Sequence, residues 1–343
     1  MAESPSQIEH QMWVGPEMQK AGSGRTRPHE KEPVLRSAPL MTNPHSHSQP
    51  GVLPSGHPGR VSANPLFQFL PSPYNRAIAM DLLLIEPAWR ELFARLALNS
   101  CPTVVRHTTG GKAVKPGVLV KSTVLSGTAG EATPVFYKQY EFASPSWRFL
   151  GRASKARREW ESYAAFAECG VRCAERIAAG EERDALGRLR RAFIITRAVP
   201  GAKTLMEFLE QECANRRSPG SRSLRKLLLV QLAEMTRRIH EQGFFHNDLY
   251  WRNILVTRAA DGAPDLWWID CPRGRHARFH REHRRVKDLA CLDRMAWRHC
   301  TRGERLDFVR VYLEKRRADA EVRHLARSVD TYRRRRWPNH DVD

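Results

Sequence analysis

The chain has 343 residues, 41% of them hydrophobic, and its 57 lysines and arginines against 37 acidic residues give a formal net charge of +20. This length provides one large domain or two lobes with a buried core, and no apolar run approaches the ~20 residues that span a bilayer. The seven cysteines form no CxxC pair, which argues against a disulfide framework or a zinc site. Because the N-terminus has no secretory signal, we expect a cytoplasmic protein. The excess positive charge predicts a polyanionic partner, such as nucleic acid, anionic lipid or a phosphorylated glycolipid.

Residues 1–75 are predicted to be a disordered extension. They contain 12 of the 22 prolines, together with many Ser, Gly and His residues and little periodic hydrophobicity. Such a segment cannot bury enough apolar surface to offset the entropy lost on ordering. The remaining chain is predicted to form two lobes, at residues 76–200 and 201–343.

The first lobe has the pattern of a β-rich unit. After a helix that starts at Pro87, short β-like runs are predicted at Val104-Val105, 118–124 and 134–140. A helix over 154–169 should end at Gly170, and a strand at 192–196 leads into the turn Val199-Pro200-Gly201, which we interpret as a hinge.

The second lobe is predicted to be mainly helical. Apolar residues recur at helical spacing from Leu224 to Ile239, and further helices are predicted over 286–297 and 306–329. Between them, a hairpin around Asp261-Gly262 should place Asp270 at the end of a strand. The chain is therefore predicted to be α+β and bilobal, a protein-kinase-like fold with a small antiparallel sheet in the N-lobe and a mainly helical C-lobe.

The chemistry is concentrated in the segment that follows the first long helix. Asp248 is followed five residues later by Asn253, and Asp270 comes after the predicted hairpin. An acid, an amide and a second acid at this spacing are typical of phosphotransferases. We predict that Asp248 orients the acceptor hydroxyl, while Asn253 and Asp270 bind Mg²⁺ against the phosphates of ATP.

A lysine in an apolar strand is the candidate for binding the nucleotide. Lys138 lies within the run Val135 to Tyr140, where an unpaired charge would be costly, and it could contact the α- and β-phosphates. Its partner should be Glu159 or Glu161 on the following helix. Glu159 is favoured because it shares a face with Tyr163 and Phe166. Lys121, on the preceding strand, is the rival lysine.

Three basic or glycine-rich segments leave alternatives open. Gly110-Gly111 could cover the phosphates or form a plain hairpin turn. Arg273 could contact a phosphate or pair with a neighbouring acid, and the run from it to Lys287 could line an anionic acceptor site or form a solvated face. The same applies to Arg333 to Arg336 beside Trp337, which could also contact an anionic membrane.

The segments His246-Asn-Asp248-Leu-Tyr-Trp-Arg-Asn253 and Trp-Trp-Ile-Asp270-Cys-Pro-Arg273 resemble the bacterial lipopolysaccharide kinase family, the Kdo and heptose kinases of the inner core. The resemblance covers about residues 80–300. It implies a protein-kinase-like fold, ATP with Mg²⁺, and phosphorylation of a sugar hydroxyl on a lipid-linked, anionic core. It also implies peripheral contact with the cytoplasmic face of the inner membrane.

Two other functions are consistent with parts of the pattern. Asp270-x-Pro272 also resembles the RIO-type atypical kinases, for which the positive charge would indicate rRNA contact. A non-catalytic basic scaffold with a kinase fold is the other alternative, and Mg²⁺-dependent ATP binding would distinguish the two enzymes from it. Tyr250 stands where protein kinases usually have a lysine, which weakens the interpretation as a Ser/Thr protein kinase. Nucleic acid is the less favoured partner.

Overall fold

The structure, a computed structural model, describes residues 81–108, 112–126 and 132–338. The predicted extension at residues 1–75 and the glycine pair Gly110-Gly111 therefore lie outside the described residues. In the first part of the described chain, the elements are β1 (Asp81–Ile85), α1 (Arg90–Arg95), α2 (Cys101–His107), β2 (Lys112–Lys115), β3 (Val118–Ser126), β4 (Ala132–Ser146), α3 (Lys155–Glu168), β5 (Arg176–Arg183) and β6 (Leu189–Arg197).

These strands form one antiparallel sheet with the order β1-β5-β6-β4-β3-β2. Side chains alternate between its faces, because successive residues of a strand point in opposite directions. On β4, Val135 and Tyr137 belong to the core under α1 and α2, whereas Tyr140 belongs to the core against α3. Lys138 shares the side of Tyr140, so the strand's alternation directs this lysine toward α3.

The second part of the chain is mainly helical. Its elements are β7 (Lys203–Thr204), α4 (Leu205–Glu212), α5 (Pro219–Glu241), β8 (Phe244–Phe245), β9 (Ile254–Arg258), β10 (Pro264–Trp268), β11 (Arg275–His276), α6 (Arg281–His299), α7 (Arg302–Tyr312) and α8 (Ala320–Arg336). Strands β9 and β10 form the predicted hairpin, with β7 on the other side of β9. The α+β class, with a small antiparallel sheet and a helical part, is confirmed.

Some predicted elements were wrong. Val104 and Val105 lie in helix α2 and not in a strand, because Ser100 caps that helix in a capping box with Thr103. The helix predicted over 306–329 is two helices, since Glu314 has a left-handed φ of 54° and Asp319 starts a new helix by accepting a hydrogen bond from the Val322 N–H.

Candidate active site

The loop that carries Asp248 is fixed by a buried carboxylate from helix α6. Asp288 is fully buried, and it accepts hydrogen bonds from the backbone N–H groups of His246 and Asn247, each at 2.8 Å. Asn247 has a φ of 62°, in the left-handed region that asparagine tolerates better than most residues. The turn just before Asp248 is therefore held by the carboxylate of a residue that lies outside the loop, on helix α6.

His246 supports the same loop by packing. Its fully buried ring stacks on Phe166 of α3, with 5.8 Å between ring centroids, and meets the ring of Trp268 edge-on at 6.0 Å. Burial lowers the pKa of His246, although the carboxylate of Asp288 acts in the opposite direction. The imidazole is therefore neutral at pH 7 and is a structural part of the loop.

Hydrogen bonds connect Asp248 to Asn253, and Asn253 to the residue before Asp270. The Asn253 side-chain amide donates to the backbone carbonyl of Asp248 at 2.8 Å. The N–H of Ile269 donates to the carbonyl of Asn253 at 3.0 Å, so the residue before Asp270 is bonded directly to Asn253. The structure thus places side by side the two segments of the sequence that carry the acid, the amide and the second acid.

Asp270 belongs to a buried ion-pair network with the predicted nucleotide-binding lysine. Lys138 Nζ lies 3.1 Å from Glu159 Oε2 and also pairs with the carboxylate of Asp270. Burial by itself would lower the pKa of Lys138, but Asp270 and Glu159 raise it well above its usual value. The lysine is therefore a permanent cation that links β4, α3 and the segment after β10.

Two tyrosines complete this network. The Tyr140 hydroxyl donates to Glu159 Oε2 at 3.3 Å, and the Tyr163 hydroxyl donates to Glu159 Oε1 at 3.4 Å. Tyr163 Oη also accepts the backbone N–H of Asp270 at 3.2 Å. Asp270 has a φ of 54°, so this contact supports an unfavourable backbone conformation at the predicted metal ligand.

The rival residues lie elsewhere. Glu161 is exposed and pairs with Arg157 of its own helix at 3.1 Å. Lys121 is not among the residues that line the cleft around Lys138. The structure therefore joins Lys138 to Glu159.

A cleft with a volume of about 50 Å³ adjoins the network. Lys138, Glu159 and Asp270 line this cleft together with apolar side chains from the sheet, from the β9–β10 hairpin and from the segments that follow them. The apolar lining includes Val120, Ile194, Val199, Leu255 and Ile269. Apolar walls with a few converging polar groups are typical of a small-molecule site.

Comparison with known proteins assigns the family. Residues 141–312 match the model of the lipopolysaccharide kinase (Kdo/WaaP) family, which is half of the chain. The chain belongs to this family. A solved structure described as WaaP in complex with acyl carrier protein superimposes with a TM-score of 0.56 and 23% sequence identity, over 76% of this chain and 99% of that chain. This likeness shows the kinase-like fold. No curated protein matches the sequence.

As a member of this family, the chain is a phosphotransferase that acts on a sugar hydroxyl of the lipopolysaccharide core. Among the described residues, no cluster of three or more His, Cys, Asp or Glu could hold a metal ion alone. The residues that would hold a metal at this site are Asn253, through its amide oxygen, and Asp270, through its carboxylate.

Three residues that support the site could not be assigned from the sequence. Asp288 precedes Leu292 and Met295 at helical spacing, and a carboxylate in such an apolar stripe was a signal for a buried partner. Gly274 had no signal: a Cβ there would lie 2.4 Å from Ser162 Oγ and 2.6 Å from Cys271 Sγ. Tyr163 was read only as part of an apolar face.

Proposed function

We propose that the protein uses ATP and Mg²⁺ to phosphorylate a Kdo or heptose hydroxyl of the lipopolysaccharide inner core. The observation that carries this proposal is the convergence of Lys138, Glu159 and Asp270 beside a cleft, next to a loop that presents Asp248. Phosphoryl transfer needs little covalent participation from the protein. It needs an aligned nucleophile and neutralised charge, and this arrangement provides groups for both.

Each of the five residues has a proposed role. Asp248 accepts a hydrogen bond from the acceptor hydroxyl and aligns it with the γ-phosphate. Lys138 binds the α- and β-phosphates, and Glu159 holds the lysine in place. Asn253 and Asp270 offer the amide and carboxylate oxygens that Mg²⁺ prefers, and the ion would neutralise charge on the phosphates. Lys138 and Mg²⁺ both need Asp270, so the carboxylate must serve the two cations together when nucleotide is bound.

The acceptor is proposed to reach the enzyme at the cytoplasmic face of the inner membrane. No helix in the described ranges is both long enough and apolar enough to cross a membrane. The charge of +20 supports peripheral attraction to anionic lipid and to an acidic glycolipid. Family membership supports this partner over rRNA, and it supports a sugar kinase over an atypical protein kinase or a scaffold.

Two substitutions test the catalytic assignment. Asp248→Asn should abolish transfer to purified core glycolipid while Mg²⁺-dependent ATP binding stays close to that of the wild type. Asp270→Asn should weaken Mg²⁺-dependent ATP binding itself. Asp307→Asn is a matched control, because Asp307 is an exposed carboxylate that pairs with Arg310 on α7. Normal turnover by either active-site variant would contradict the proposal.

Mass spectrometry identifies the acceptor. Core oligosaccharide from a strain without this enzyme should lack one phosphate, and fragmentation should place the loss on a Kdo or a heptose. Addition of the purified kinase with ATP should restore that phosphate in vitro. An unchanged core would exclude the lipopolysaccharide as the substrate.

We also propose acyl carrier protein as a binding partner. The solved structural neighbour is described in complex with that protein. In this chain, an apolar cavity of about 100 Å³ lies among α4–α8, and its lining includes Leu228, Leu232, Trp251, Leu292 and Phe308. The cavity could receive part of an acyl chain. The test is native mass spectrometry of the purified kinase mixed with acylated and with unacylated carrier protein. A complex that forms only with the acylated carrier protein supports the assignment. If neither form of the carrier protein binds, the assignment is contradicted.

A further inference from the structure

Two arginines flank the carboxylate of Asp248. Arg252 Nη2 lies 3.8 Å from Asp248 Oδ2, and Arg273 Nη1 lies 3.7 Å from Asp248 Oδ1. Both distances are long for an ion pair, and the arginine side chains are 53% and 66% exposed. Such guanidinium groups can leave the carboxylate at little cost and bind another anion beside it.

An aromatic pair continues this surface. Tyr250, two residues after Asp248, meets Trp337 edge-on with 6.1 Å between ring centroids. The Arg252 guanidinium lies 4.4 Å from the Tyr250 centroid. Arg294 of α6 lies 5.6 Å from the Tyr250 centroid and 5.3 Å from that of Trp337. Guanidinium and aromatic groups therefore alternate along the surface that begins at Asp248.

Trp337 is held in place by a buried anchor in the last helix. Arg333 is 2% exposed, and its guanidinium pairs with Asp293 of α6 at 3.0 Å and with Asp330 at 2.8 Å. The backbone N–H of Trp337 donates to the backbone carbonyl of Arg333 at 2.9 Å, so Trp337 lies one helical turn beyond the anchor. Helix α8 lies outside the part that matches the family model, which ends at residue 312.

We propose that these groups form the acceptor subsite of this kinase. Arg252, Arg273 and Arg294 bind an anionic group, a phosphate or a carboxylate, near the reacting hydroxyl, and the Tyr250–Trp337 pair packs against the apolar C–H face of a sugar ring. A planar guanidinium suits the two oxygens of such an anion. This inference rests on the proposed function. It adds that specificity for an acidic sugar comes in part from the last helix.

Steady-state kinetics with altered acceptors tests the subsite. The acceptor is lipopolysaccharide from a strain without the kinase, and it is used in three forms. One form is untreated, one has lost its phosphates to hydrofluoric acid, and in one the carboxylates have been reduced with carbodiimide and borohydride. Arg252→Gln and Arg273→Gln should each raise the acceptor KM about tenfold, as expected for one charge-assisted hydrogen bond, and leave the ATP KM unchanged. Trp337→Leu, which keeps apolar packing, should act in the same direction.

The treated acceptors supply the second half of the test. For the wild-type enzyme, the acceptor KM should rise by the same factor when the anionic group has been removed from the acceptor. For the arginine variants, removal of this group should raise the acceptor KM no further. Trp147→Ala is the matched control, because Trp147 is 57% exposed, has the guanidinium of Arg188 5.0 Å from its ring centroid and lies in the short helix after β4, in the sheet-bearing part. Its KM values should equal those of the wild type.

Three outcomes overturn the proposal. Unchanged acceptor KM values in the arginine variants would show that these groups do not bind the acceptor. A rise in the ATP KM alone would assign them to the nucleotide. If the wild-type enzyme binds Mg²⁺–ATP but phosphorylates none of the acceptors, the proposed function itself fails and the subsite assignment fails with it.

Discussion

Replacing Asp288 tests whether a buried charge outside the motif holds the catalytic loop. Its carboxylate accepts two backbone N–H groups at 2.8 Å and lies 3.3 Å from His240 Nε2. Each hydrogen bond to a buried charge contributes about 1.5 kcal/mol or more. Asp288→Ala removes both and leaves two buried donors, so unfolding should become easier by about 3 kcal/mol. Asp288→Asn keeps one acceptor oxygen, so its free energy of unfolding should fall by about half as much.

The loss should also appear in catalysis. Once Asp288 is removed, the turn at Asn247 is no longer held in its left-handed conformation, and Asp248 lies next to it. A displacement of about 1 Å at a catalytic group can reduce turnover about 10²-fold. We therefore expect a large fall in kcat for Asp288→Asn, with little change in the ATP KM, because the asparagine does not touch the cleft.

Urea unfolding followed by circular dichroism, together with steady-state turnover, measures both effects. Asp307→Asn again serves as control: its carboxylate is 59% exposed and pairs with Arg310, so a change below about 0.5 kcal/mol is expected. If Asp288→Ala unfolds at the same urea concentration as this control, the carboxylate does not hold the loop and the reasoning is refuted.

Three further predictions concern the buried charges and thiols. Lys138→Met should raise the ATP KM at least tenfold in steady-state titrations, because the cation between Asp270 and the phosphates is lost. Burial lowers the pKa of His246, so below about pH 6.5 the unfolded chain binds a proton that the folded chain does not. The Tm of the wild type should therefore be lower at pH 5.5 than at pH 7.5, and this difference should be smaller for His246→Gln. An equal change in Tm for the two proteins would contradict the prediction. Burial raises the pKa of Cys291 to about 12, so iodoacetamide at pH 8 should modify it only after unfolding in urea, as peptide mass spectrometry can show.

Residues that are close in the sequence, or that follow a regular period, could be assigned from the sequence alone. The spacing from Asp248 to Asn253 is fixed within one loop. The two-residue period of β4 places Lys138 on the other face of the strand from Val135 and Tyr137. The helical period of α3 likewise favoured Glu159 over Glu161, and the structure places Glu159 in the buried network. Family membership then confirmed a lipopolysaccharide kinase.

Contacts between distant elements were decided only by the tertiary structure. Asp288 lies 40 residues after Asp248, and Trp337 lies 87 residues after Tyr250, so no local period relates either pair. Helices α6 and α8 share a hydrophobic core that includes Leu289 and Leu325, and Arg333 pairs with Asp293 beside it, so these positions depend on the packing of the two helices. The local pattern also favoured a strand at Val104, whereas the cap at Ser100 and burial beneath the sheet produced a helix. A sequence pattern specifies which face of an element is buried, but the partner of that face is chosen by packing across the whole domain.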